Sequence, residues 1–120
     1  MLPDKPTHLT ANEVASRYLK ISWKDPKNTG VKLGTNLLNP LTKVRLIVLK
    51  DTVVIFNKIW EETLIKRYKL ENLIPYTTYV INVTAGNSEG FGASITASFT
   101  TAEDGEFIFF FVHSFWFCLH

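Results

Sequence analysis

Apolar and polar residues alternate along much of the chain, and no stretch carries a convincing apolar stripe of helical period. Leu19, Ile21 and Trp23, for example, alternate with polar residues until Asp25-Pro26 ends the run. Alternation of period two places apolar side chains on one face of a strand. The pattern predicts strands near residues 7–11, 19–24, 43–48, 52–56, 63–70, 78–86 and 93–101. We therefore expect an all-β, seven-stranded sandwich.

The most informative stretch runs from Leu73 to Gly92, where a turn, a long alternating strand and a Gly-rich loop follow one another. Pro75 has no N–H for a strand ladder and disfavours helical geometry in Ile74, so it belongs at a corner before the strand. Tyr79 follows four residues later. A buried tyrosine needs a hydrogen-bond partner, so we predict that its hydroxyl meets a backbone group near Leu73.

Ten residues of this stretch, at fixed spacing, resemble the signature of fibronectin type III domains: Leu73, Pro75, Thr77, Tyr79, Ile81, Val83, Ala85, Asn87, Gly90 and Gly92. The resemblance covers residues 3 to about 104 and implies an immunoglobulin-like β-sandwich with Tyr79 as its tyrosine corner. It also implies a structural core that contains Trp23, Tyr68, Leu70, Leu73, Pro75, Tyr79, Ile81 and Val83.

Such domains mostly act as spacers and protein-binding modules, which implies a protein partner and no catalysis. Three hypotheses remain open: a module of a cell-surface receptor or adhesion protein, an intracellular or enzyme-accessory spacer, and an independent enzyme. An Arg-Gly-Asp motif is missing from 87–92, and no Trp-Ser-x-Trp-Ser motif lies near 93–101. Integrin binding through that loop and the cytokine-receptor subclass therefore lose support.

A long loop is predicted between residues 27 and 42, and it contains five aliphatic residues. Such a loop either folds onto the body of the domain or contacts a partner. The resemblance places this loop and the Gly-rich loop at the same end of the sandwich. The residues predicted to contact a partner there are Leu37, Leu38, Leu41 and Phe91.

Basic residues concentrate between positions 17 and 50, although the 120-residue chain has a net charge of only +2. Lys20 and Lys24 are predicted to point outward from one sheet, and Lys43 and Arg45 from the other. The positive charge is then divided between opposite faces, so we expect neither a nucleic-acid partner nor a single site for another polyanion.

The sequence contains no recognisable catalytic or metal-binding motif. Adjacent Glu61 and Glu62 would point to opposite faces of a strand, His8 lacks a nearby second ligand, and Cys118-x-His120 is a weak metal pair. The single cysteine excludes an internal disulfide. We therefore predict no enzyme activity, no cofactor, no metal and no small-molecule substrate.

Asn82-Val83-Thr84 matches the acceptor sequence for N-glycosylation. Asn82 alternates with the inward Ile81 and Val83, so its side chain is predicted to face solvent. No signal peptide is visible after Met1. The predicted location is extracellular or at the cell surface, as part of a longer parent protein.

The chain is predicted to divide into a fibronectin type III domain at 1–104 and an aromatic tail at 105–120. Residues 107–120 carry no charge apart from the histidines, and they fall short of the ~20 residues that span a bilayer as a helix. The tail is predicted to lie outside the domain core. It is either the start of a membrane segment or a non-native end, so membrane contact through the tail or the parent stays open.

Overall fold

The computed structural model describes residues 1–32, 34–104, 108–112 and 115–119, the last two ranges as backbone. These residues form antiparallel strands joined by turns and loops. The strands are β1 (Thr7–Val14), β2 (Leu19–Lys24), β3 (Lys43–Lys50), β4 (Val53–Trp60), β5 (Arg67–Leu70), β6 (Thr78–Asn87), β7 (Gly90–Thr100), β8 (Ile108–Val112) and β9 (Phe115–Leu119).

Two sheets pack against each other with the strand orders β5-β2-β1-β8-β9 and β4-β3-β6-β7. Strands β1 to β7 correspond to the seven predicted from the alternating pattern, and β8 and β9 lie in the tail. The prediction of an all-β sandwich is therefore confirmed.

The core lies between the sheets because the apolar residues of each strand alternate with polar or half-buried ones. In β3, Val44, Leu46 and Val48 are buried while their neighbours along the strand are half-buried. Of the predicted core residues, those buried here are Trp23, Leu70, Leu73, Tyr79, Ile81 and Val83. Tyr68 and Pro75 are half-buried at the margin of the core.

One edge of the sandwich is closed by aromatic rings. The ring centroid of Tyr68 lies 5.6 Å from that of Phe56 and 5.3 Å from that of Trp60. Trp60 was predicted in a connection, but it ends β4 opposite Val44. Aromatic side chains stabilise strand edges by packing across them, which explains why β4 continues this far.

Strand β5 begins at Arg67, so the predicted start of this strand near residue 63 is wrong. Leu64 is 84% exposed, and the pairing of β5 with β2 starts at Arg67 opposite Ser22. The apolar run was misleading because it lies in a connection rather than on a paired strand.

The tail continues one sheet as a hairpin. Strand β8 pairs with β1 at Glu13 and Val14, beyond the predicted end of that strand, and β9 pairs with β8. The first strand therefore has a neighbour at its C-terminal end. Gly105, Glu106, Phe107, His113, Ser114 and His120 lie outside the described residues, as does Leu33.

Candidate interaction surfaces

The corner before β6 is held by Tyr79 and Thr101. The Tyr79 hydroxyl accepts a hydrogen bond from the backbone N–H of Ile74 at 2.8 Å, as predicted for a group near Leu73. Thr101 is also buried, and its hydroxyl donates to the Ile74 carbonyl at 2.6 Å and accepts from the Thr77 N–H at 2.9 Å. Both polar groups of Ile74 are thus paired, which fixes the corner and the strand that follows it.

At the opposite end of β6, the fully buried Asn87 side chain connects three segments of the chain. Its Nδ2 donates to the carbonyl of Met1 at 2.8 Å and to that of Thr29 at 3.0 Å. Its Oδ1 accepts from the N–H of Glu89 at 2.8 Å. The family resemblance included Asn87 only as a motif position, and its buried polar network was not predicted.

Glu89 connects the β6–β7 turn to the long loop between β2 and β3. Its carboxylate accepts hydrogen bonds from the N-terminal ammonium and from Nδ2 of buried Asn39, each at 2.6 Å. The bond from the ammonium lowers the pKa of Glu89, because it favours the ionised carboxylate. These contacts hold the base of the long loop against the turn.

The outer part of the long loop projects from this base as a small hairpin. Val31 forms a bridge with Leu38, and the N–H of Lys32 donates to the Leu37 carbonyl at 2.8 Å. Leu37 is 64% exposed and Leu38 51% exposed, whereas Leu41 is half-buried. Of the two alternatives left open by the sequence, complete folding onto the body does not describe this loop.

Phe91 lies on the outer face of the β4-β3-β6-β7 sheet. Asn87 pairs with Gly90, which limits the turn to two residues and puts Phe91 in β7 opposite Gly86. Its ring centroid is 4.9 Å from Nζ of Lys43 and 4.6 Å from Cζ of Arg45. Phe91 is half-buried, and it lies on this sheet face rather than in the loop to which the sequence assigned it.

The same outer face holds a charged guanidinium, that of Arg45, beside the ring of Phe91. Its Nε is buried without a hydrogen-bond partner among the described residues. The π-face of Phe91 attracts the cation, and this attraction offsets part of the free energy lost by leaving Nε without a hydrogen bond. The sequence did not predict this contact between Arg45 and Phe91, because the register of β3, β6 and β7 brings the two residues together.

Asn82 stands at the centre of the same outer face, half-buried and opposite Ile47 and Thr96. Its Oδ1 accepts a hydrogen bond from the Thr96 hydroxyl at 2.7 Å. This bond leaves Nδ2, the nitrogen that carries an N-linked sugar, on the outer side. The apolar residues around it on this face are Ile47, Leu49, Val54, Ile59 and Val80.

The remaining sequence candidates have simple positions in the described part of the chain. His8 is exposed on β1, where its Nδ1 lies 3.0 Å from Oγ1 of Thr7, and Glu61 and Glu62 are exposed after β4. Among the described residues, no three His, Cys, Asp or Glu side chains form a group suited to a metal ion.

The same residues include no helix with the length and apolar character needed to cross a bilayer. Cys118 is described as backbone only, and His120 lies outside the described residues.

The family model of the fibronectin type III domain matches residues 4–101, which is most of the chain. The chain belongs to the fibronectin type III domain family. The match includes strands β1 to β7 and ends before the tail. Domains of this family occur as interaction and spacer modules, and the chain is one such module. A search of curated proteins found no match.

Solved structures similar to this fibronectin type III domain come from several kinds of protein. Domains d3-d4 of the rat CD45 extracellular region align with a TM-score of 0.67 at 15% identity, over 84% of this chain and 51% of that one. The chain thus spans about half of that structure. The domain of human fibronectin type III domain containing protein 3 aligns with a TM-score of 0.63 at 24% identity, covering 87% and 90% of the two chains. The structure of titin kinase and its flanking domains aligns with a TM-score of 0.62 at 21% identity, covering 83% and 17%. At these identities the similarity shows the fold.

Proposed function

We propose that this fibronectin type III domain is a non-catalytic protein-binding module of a cell-surface receptor or adhesion protein, and that it binds through the long loop. The observation that carries the proposal is the exposure of Leu37 and Leu38 at 64% and 51%. These two adjacent leucines expose apolar area that a partner can cover. Because the base of the loop is already anchored, little further conformational entropy is lost when the loop becomes ordered on binding. The partner is a protein whose surface offers an apolar recess.

The N-glycosylation sequence supports both the location and the choice of surface. Asn82 lies amid the apolar residues of the outer sheet face, so a glycan there would cover Ile47 and its neighbours. The exposed leucines of the loop would stay accessible, because the loop lies at the end of the sandwich. Similarity to a CD45 extracellular region agrees with this location.

The alternative function is an intracellular or enzyme-accessory spacer. Similarity to a structure of titin kinase with its flanking domains favours it, because the match covers 17% of a chain that also contains a kinase. A spacer requires stable ends and has no need of an exposed apolar loop. Leu37 and Leu38 would therefore be essential for a binding module and dispensable for a spacer.

The proposal is tested with a tetramerised form of the chain applied to an array of receptor and adhesion ectodomains. Leu37→Ser with Leu38→Ser should remove binding of the partner. Leu64→Ser is the matched control, because Leu64 is 84% exposed in another connection. Equal binding by both variants would refute the loop assignment, and absence of binding to every ectodomain would favour the spacer.

A further inference from the structure

An open groove of about 760 Å³ lies on the outer face of the other sheet, across β1, β2 and β5. Among the described residues, its lining includes four cationic side chains, those of Lys20, Lys66, Arg67 and Lys69, and no carboxylate. Ordinary ligand sites have volumes of ~300–1,000 Å³. The groove is therefore large enough for a few residues of an extended peptide.

The strand register explains why a groove forms here. Ser22 pairs with Arg67, and Lys20 pairs directly with Lys69. The short Ser22 side chain leaves a hollow between these long ones. The pairing of β1 with β2 is irregular between Ala11 and Glu13, and such a bulge increases the local twist and helps to make the face concave.

The two lysines that face each other across β2 and β5 place like charges in direct opposition, which is unfavourable in a strand pair. Carboxylates at the rim offset part of this repulsion. Nζ of Lys20 lies 2.8 Å from Glu13, and Nζ of Lys69 lies 3.3 Å from Glu71. Lys66 is similarly 3.0 Å from Asp25. Each ammonium has three N–H donors and one carboxylate partner here, and Nζ of Lys69 also lies 4.5 Å from the centroid of the Tyr18 ring. Donors therefore remain for a further anion.

Arg67 completes the site. It is exposed, and no carboxylate lies within ion-pair distance of it among the described residues. A guanidinium binds a carboxylate with two parallel hydrogen bonds, which gives direction as well as charge complementarity. The hydroxyl of Ser22 and the amide of Asn12 add uncharged hydrogen-bonding groups to the lining.

We propose that this groove binds an acidic segment of a partner protein, with Arg67 holding one carboxylate and Lys20, Lys66 and Lys69 holding its neighbours. The inference rests on the proposed function as a protein-binding module and gives the chemistry of a second contact. A peptide fits better than a long polyanion for two reasons. The positive stretch is short, and the carboxylates of Glu13, Asp25 and Glu71 at its rim would repel a chain of sulfates or phosphates that extended beyond it.

The sequence did not predict this site because its cations are far apart along the chain. The split of Lys20 and Lys24 from Lys43 and Arg45 was correct, since β2 and β3 belong to different sheets. The other three cations, Lys66, Arg67 and Lys69, lie on or next to β5, more than forty positions after Lys20 in the sequence. Only the β2–β5 register places them beside it.

The test measures binding of a fluorescein-labelled hexaglutamate peptide to the full chain by fluorescence anisotropy at physiological salt. The expected result is saturable binding that weakens at least about tenfold in Arg67→Gln with Lys69→Gln, because two charged contacts are lost. Lys5→Gln with Lys32→Gln is the control, since it removes the same charge at exposed positions elsewhere. Hexaglutamine should not bind.

Three results would overturn the proposal: no binding of hexaglutamate, equal weakening in both double variants, or much tighter binding of a heparin dodecasaccharide or an oligothymidylate through the same residues. The last result would identify a polyanion site instead. Leu37→Ser with Leu38→Ser should leave hexaglutamate binding unchanged, so the proposal for the groove and the proposal for the loop are tested independently. Thermal melting of each variant confirms that it is folded.

Discussion

The backbone N–H of Ile74 donates a hydrogen bond to the hydroxyl of Tyr79, over 2.8 Å. The two residues lie on either side of the corner that Pro75 begins, and the Tyr79 side chain is only 1% exposed. A buried hydroxyl in this position replaces the water that an unpaired N–H would otherwise need. The bond therefore joins the turn to the core, together with the Thr101 hydroxyl that pairs with the Ile74 carbonyl.

Tyr79→Phe removes that acceptor and leaves the Ile74 N–H unpaired while the ring stays in place. Loss of this part-buried hydrogen bond costs about 1 kcal/mol, so the free energy of unfolding should fall by about that amount with the fold retained. Urea denaturation followed by tryptophan fluorescence measures it. Tyr76→Phe is the control, because Tyr76 is 72% exposed and should change stability little. An unchanged midpoint in Tyr79→Phe would contradict the role of the bond.

The features that the sequence predicted well are local ones. Alternation along β2, β3 and β6 identifies core faces, and the spacing of Pro75 and Tyr79 identifies the corner, because neighbouring positions determine both. Features that depend on the register between strands were not predicted. Phe91 was assigned to a loop, but the two-residue turn after Asn87 brings it into β7 and onto the outer face.

Gly30 has a φ of +97°, and a Cβ there would collide with the Met1 carbonyl and with Nδ2 of Asn87. Gly34 has a φ of +76°, but a Cβ there would meet no atom of the described residues beyond its chain neighbours within 4 Å. Both alanine variants should lose about 1 kcal/mol from backbone strain, whereas overpacking should cost Gly30→Ala a further ~1–3 kcal/mol. Comparison of the two unfolding midpoints isolates the collision. Equal midpoints would show that the Asn87 network yields without cost.

The Lys20–Glu13 pair should make stability depend on pH. The hydrogen bond from Lys20 lowers the pKa of Glu13 below its ordinary value of 4.5, and a weaker contribution comes from Tyr18. A carboxyl with a lowered folded pKa stabilises the protein above its unfolded pKa, and this stabilisation disappears as pH falls through the folded pKa. Glu13→Gln should therefore be less stable than the original chain near neutral pH, and the difference should shrink below about pH 4.5.

Chemical denaturation of Glu13→Gln across this pH range measures the difference. Glu62→Gln provides the comparison, because Glu62 is an exposed carboxylate in the connection after β4. A difference between the original chain and Glu13→Gln that stays constant from neutral to acid pH would show that the ionised pair does not contribute.

Asn82 should carry a glycan when the chain passes through a secretory pathway. The acceptor nitrogen lies on the outer face, and the bond to Thr96 uses the other amide atom, so the folded domain accommodates the sugar. Expression behind a secretion leader should give a mass that decreases on glycosidase treatment. Asn82→Gln should lack this decrease, and its absence in the original chain would remove the argument for glycan shielding of the outer face.

Removal of the tail after Glu106 should leave the melting temperature unchanged and increase solubility. Strand β8 pairs with β1 at two register positions, and the core between the sheets, as far as side chains are described, is built from residues between Leu9 and Phe99. The family match also ends at residue 101. Because uncharged aromatic strands associate readily, loss of β8 and β9 should reduce aggregation. Differential scanning calorimetry and sedimentation of both forms test this. A melting temperature lower by several degrees would mean that the hairpin beside Glu13 and Val14 belongs to the domain, and both the membrane-segment and the non-native interpretations of the tail would then be wrong.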